Sequence, residues 1–79
     1  MSFNKNEYDL IIDTCHLLCP GPIIETKKHL SLLAPGQTIL VMTIEPSFKI
    51  DLAVLAKIQG YKLIEVWQEK NKFFYVIQK

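Results

Sequence analysis

The chain has 79 residues, 49% of them apolar and 22% charged, with a formal net charge of +1. One small domain is the most that this length builds, and the apolar positions run through all of it, which argues against disorder. The near-neutral charge gives no pull toward nucleic acid or anionic membrane, and no apolar run approaches the roughly 18 residues of a membrane span.

In chain order, YDLIID at residues 8–13 is a short apolar run ending in an acid, and it reads as a strand. The segment TCHLL then leads to Cys19. Over residues 20–33, Ile23, Ile24, Leu30 and Leu33 alternate with Glu25, Lys27 and Lys28 at helical spacing. Pro20 suits the first helical position, where a missing N–H costs nothing, and Ala34-Pro35-Gly36 stops the helix.

QTILVMTI at residues 37–44 is β-rich and apolar on both faces, which predicts an interior strand. Glu45-Pro46 breaks it. Ser47 is the expected N-cap of a second helix over Phe48–Gln59, and Gly60 the expected left-handed residue at its end. The last segment is a hairpin of residues 61–68 and 72–78. A three-residue loop, with Asn71 left-handed, pairs Val66 with Phe74 and Ile64 with Val76 on one aliphatic face. The other face then carries an aromatic strip of Trp67, Phe73 and Tyr75. The order β-α-β-α-β-β makes an α/β (α+β) two-layer sandwich, a four-stranded mixed sheet with two helices on one face.

The chemistry concentrates at Cys19-Pro20-Gly21-Pro22. A cysteine at a helix N-terminus meets partial positive charge, which favours the thiolate. Pro20 and Pro22 have no N–H, so the Gly21 amide is the expected donor to the Cys19 sulfur. Flanking prolines stiffen the loop and hold the thiol outward. Cys15, four residues earlier, is a candidate resolving thiol, and His16 a candidate donor to the Cys19 thiolate. Cys15, His16 and Cys19 fall one ligand short of a closed zinc site, so neither metal nor cofactor is expected. The lysines at 27, 28, 57, 62, 70 and 72 do not cluster by spacing, so direct RNA binding is not expected.

The Cys19-Pro20-Gly21-Pro22 run resembles the CPxP signature of the TusA-like (SirA-like) sulfur-carrier family. Asp13 stands six residues before the cysteine, as in that family's D-x-x-G-x-x-C-P-x-P run, with His16 in place of the glycine. Pro35-Gly36, Pro46, Asp51 and Gly60 fall at the matching junctions. The resemblance implies a single carrier domain over residues 1–79 that holds sulfur as a persulfide on Cys19. Asp13, Pro20, Gly21 and Pro22 would shape the site. It also implies a cysteine desulfurase or similar donor, a downstream acceptor protein and, in one branch, tRNA 2-thiouridine synthesis. The polar N-terminus and the thiols point to a cytoplasmic protein. The residues alone leave two alternatives: a small thiol-disulfide redox protein using Cys15 and Cys19, and a non-catalytic regulatory or adaptor domain.

Overall fold

The computed structural model describes residues 8–18 and 20–79. Cys19 lies outside the described residues. The elements are β1 (Leu10–Asp13), α1 (Gly21–Leu32), β2 (Thr38–Thr43), α2 (Phe48–Gln59), β3 (Lys62–Glu69) and β4 (Lys72–Gln78). The sheet order is β1-β2-β4-β3. β1 runs parallel to β2, and β4 runs antiparallel to both β2 and β3.

Both helical crossovers, β1 to β2 and β2 to β3, step the same way across the sheet. Right-handed connections then put both helices on one face, as expected of this α+β sandwich. β2 alternates Ile39 and Val41 toward the helices with Leu40 and Met42 toward the other face. It is interior, as its two apolar faces require. Leu30 of α1 and Phe48 and Leu52 of α2 close over Ile39, Val41, Tyr75 and Ile77. Each such fully buried side chain contributes about 1.5–3 kcal/mol.

α2 occupies the span read from the sequence, and Gly60 ends it at φ 78°, its N–H returning to the Ala56 carbonyl at 2.8 Å. Ser47 stands at the N-cap position, but its side chain makes no capping bond. Its φ, ψ of −69° and −15° are already helical, which turns the hydroxyl away from the first-turn amides.

The hairpin corrects the expected register. Glu69 pairs with Lys72, so the loop has two residues, and Trp67 faces Phe74 while Val66 faces Tyr75. Lys70, not Asn71, takes the positive φ, at 56°. The register shifts between Leu63 and Glu65, leaving Ile64 as the extra residue of a bulge. That bulge allows Leu63 to meet Ile77 while Val66 meets Tyr75, both toward the helices. The Trp67–Phe73–Tyr75 strip therefore does not form. Tyr75 packs on Phe48 among the core residues with ring centroids 4.9 Å apart, and Phe73 joins that cluster. Trp67 stacks on Phe74 across the opposite face, at 5.0 Å and 1° between the rings.

Candidate functional site

The segment that carries the sequence motif leaves the sheet at the C-terminal end of β1. Its root is fixed by Thr14, which is 2% exposed. The Thr14 N–H and hydroxyl both donate to the Met42 carbonyl, at 2.8 and 2.6 Å. One β2 acceptor therefore holds the loop at two points.

Asp13 follows the same logic from the outside. Its carboxylate accepts the Cys15 N–H at 2.9 Å, closing a turn two residues long. That bond, then the Cys15 thiol and the charges of Lys72 and His16, hold the Asp13 carboxyl below the usual range. Cys15 is a free, half-buried thiol. Burial, the hydrogen bond to Asp13 and the Asp13 charge push it up to about 11. Asp13 and Cys15 are thus joined, and Lys72, from the hairpin, comes within electrostatic reach of both. His16 is exposed in the same turn.

The Leu17 N–H donates to Thr14 and the Gly21 N–H to Leu18, at 3.0 and 2.6 Å, so the loop advances as two tight turns. α1 starts one residue later than the motif predicts. Pro20 is the N-cap, with φ −96° and ψ 20°, and Gly21 is the first helical residue. The Gly21 amide donates to the Leu18 carbonyl; the expected donation to the Cys19 sulfur lies outside the described residues. Packing gives Gly21 a reason to lack a side chain. An added Cβ would lie 3.0 Å from the Leu17 Cβ.

Pro22 is fully buried, and its carbonyl accepts the buried Thr26 hydroxyl at 2.8 Å. The two prolines therefore divide their work. Pro20 is exposed at the helix start, and Pro22 seats the first turn of α1 in the core. Thr14 and Thr26 are site supports that the sequence reading missed. Nothing local marks a threonine as the anchor of a loop, because its acceptor can stand 28 residues away, as Met42 does here.

Among the described residues, no three His, Cys, Asp or Glu side chains converge as metal donors, and no helix is long and apolar enough to cross a membrane.

The arrangement is a cysteine-bearing loop bolted to the sheet at its root and stiffened by proline at its end. Comparison with known proteins agrees with it. Residues 10–79 match the family model described as Sulfurtransferase TusA. The sulfur carrier protein TusA of Allochromatium vinosum is 34% identical over 73 residues, covering 92% of this chain and 96% of that protein. The sulfur carrier protein TusA of Pseudomonas aeruginosa is 31% identical, covering 90% of each chain. The crystal structure of a SirA-like protein from Desulfitobacterium hafniense superposes with a TM-score of 0.77 at 25% identity, covering 87% of this chain and 95% of that one.

Proposed function

The chain belongs to the TusA family of sulfur carriers, and on that premise we propose that Cys19 is its persulfide site. The Cys19 thiolate attacks the outer sulfur of a protein persulfide on a cysteine desulfurase or similar donor. A new sulfur–sulfur bond forms on Cys19, the donor's own bond breaks, and the donor cysteine leaves as a thiolate. The next thiol, on an acceptor protein, then attacks the persulfide carried by Cys19. The carrier supplies position and a thiolate, not a general base. The reading rests on one observation above all: the Cys19-Pro20-Gly21-Pro22 run falls within the matched residues, and its Pro20 is the N-cap of α1. The cytoplasm is the compartment we propose, where thiols stay reduced.

The dithiol alternative asks Cys15 to act as a thiolate. With its thiol pushed up to about 11, only about one molecule in ten thousand carries that thiolate at pH 7. Burial, and after it Asp13, disfavour the Cys15 thiolate that the exchange requires.

The test is an intact mass under non-reducing conditions after incubation with a cysteine desulfurase and cysteine. A gain of one sulfur atom that is lost in Cys19→Ser and kept in Cys15→Ser supports the carrier. Loss of two hydrogens in the wild type, and in neither variant, overturns it in favour of the dithiol couple. An adaptor would keep its partner effects in Cys19→Ser. Deleting the gene then tests the destination: loss of 2-thiouridine from tRNA assigns the sulfur to tRNA thiolation through a partner that holds the RNA.

A further inference from the structure

We propose that the slot between the start of α2 and the β3–β4 hairpin is a binding site for a carboxylate. Val66 pairs with Tyr75 and Gln68 with Phe73, so these four side chains share the helix-covered face of the sheet. Together with Pro46, Lys49 and the intervening Trp67 they line a cavity of about 310 Å³. That is at the small end of ligand pockets, which run from about 300 to 1,000 Å³. It has room for a short acid or one acidic side chain.

Tyr75 gives the slot its chemistry. The residue is only 1% exposed and its ring lies on Phe48. Its hydroxyl nevertheless has no hydrogen-bond partner among the described residues, and no buried side-chain polar atom is sealed away without one. The small surface Tyr75 retains is therefore its hydroxyl, opening into the cavity that it lines. An O–H with so narrow an opening to water gains from an acceptor placed in the cavity. Burial also pushes the phenol up, so it remains a donor at neutral pH.

Lys49 adds a cation to the same cavity, and no acid lines it among the described residues. Val66, Phe73 and Pro46 supply apolar walls for a short aliphatic stem. An ammonium, one O–H donor and apolar walls select an acid with a hydrocarbon arm over a bare inorganic anion. Neither Asp13 nor Cys15 is among the described residues that line it.

The experiment is a two-dimensional amide NMR titration of the full chain. The probes are glutarate, N-acetyl-glutamate N-methylamide, neutral glutaramide and inorganic phosphate. Saturable shifts around Lys49, Gln68 and Tyr75 are expected with a carboxylate and absent with glutaramide. Tyr75→Phe keeps the ring on Phe48 and weakens binding about tenfold, the value of a hydrogen bond to a charged group. Lys49→Gln, on the surface, weakens it similarly. Binding of glutarate alone assigns a free acid, and binding of the glutamyl probe as well assigns an acidic side chain of a partner. Equal binding of glutaramide or of phosphate, no saturable shift, or indifference to both substitutions overturns the proposal.

Discussion

Thr14 gives both its hydrogen-bond donors, N–H and hydroxyl, to one carbonyl oxygen, that of Met42. The bonds tie the loop after β1 to the strand beside it, where Asp13 is itself in register with Met42.

Thr14→Val keeps the shape and the backbone bond and removes only the hydroxyl's donation. The expected cost is about 1 kcal/mol, read as a lower urea midpoint at unchanged slope. Sulfur loading of Cys19 should slow in the same variant, since the loop that carries the thiol starts there. An unchanged midpoint would remove Thr14 from the frame.

Gly21→Ala places a Cβ 3.0 Å from the Leu17 Cβ, both on short, hydrogen-bonded turns. The contact is tighter than packed carbons tolerate, so the loop must give way. A destabilisation of about 1–2 kcal/mol is expected, with slower loading. Thermal unfolding and loading rate measure the two effects. A variant that loads at the wild-type rate shows that the close approach is incidental.

Asp13 and Cys15 set opposite limbs of a pH profile. The lowered Asp13 carboxyl stabilises the fold above its ordinary 3.8, and that contribution is lost as pH falls through the lower folded value. The Cys15 thiol is raised, so its contribution is complete below its ordinary 9.0 and lost as pH rises toward about 11. In a Cys19→Ser background, the urea midpoint should fall more between pH 9 and 11 with Cys15 present than in Cys15→Ser. Asp13→Asn should flatten the acid limb and speed alkylation of Cys15 at pH 8. Ordinary alkylation of Cys15 in the parent would contradict its protected state.

Lys70 holds φ 56° without being glycine. A side chain there costs roughly 1–2 kcal/mol. Lys70→Gly should recover part of that strain, about 0.5–1 kcal/mol after its entropy cost in the unfolded chain. Chemical denaturation is the measurement, and a loss of stability would mean that the lysine makes compensating contacts.

Where one local signal decides an element, the sequence was enough. α2 lies between Ser47 and Gly60, and the glycine alone dictates the stop. β2 reads as interior because residues 39–42 are apolar on both faces. The cysteine loop was legible as a motif, but not in its hydrogen bonds. Gly21 turned back to Leu18, and the helix began one residue past Pro20. The hairpin failed for a different reason. Choosing the register that made one face uniformly aliphatic assumed an unbroken ladder. The stack of Trp67 on Phe74 and the extra residue at Ile64 satisfy both faces with a shorter loop. Tyr75 looked like one member of a surface strip because a period of two cannot reveal which face the helices cover.

The bulge at Ile64 does more than restore the pairing of Leu63 with Ile77. β3 is the outermost strand on its side of the sheet, eight residues long, with Leu63, Ile64 and Val66 each more than two-fifths exposed. A straight strand of that kind is a template on which other chains grow into fibres. The kink interrupts its row of outward donors and acceptors at the third residue and increases the local twist. The residue that sets the hairpin's faces thus also makes this edge a poorer template for a second strand.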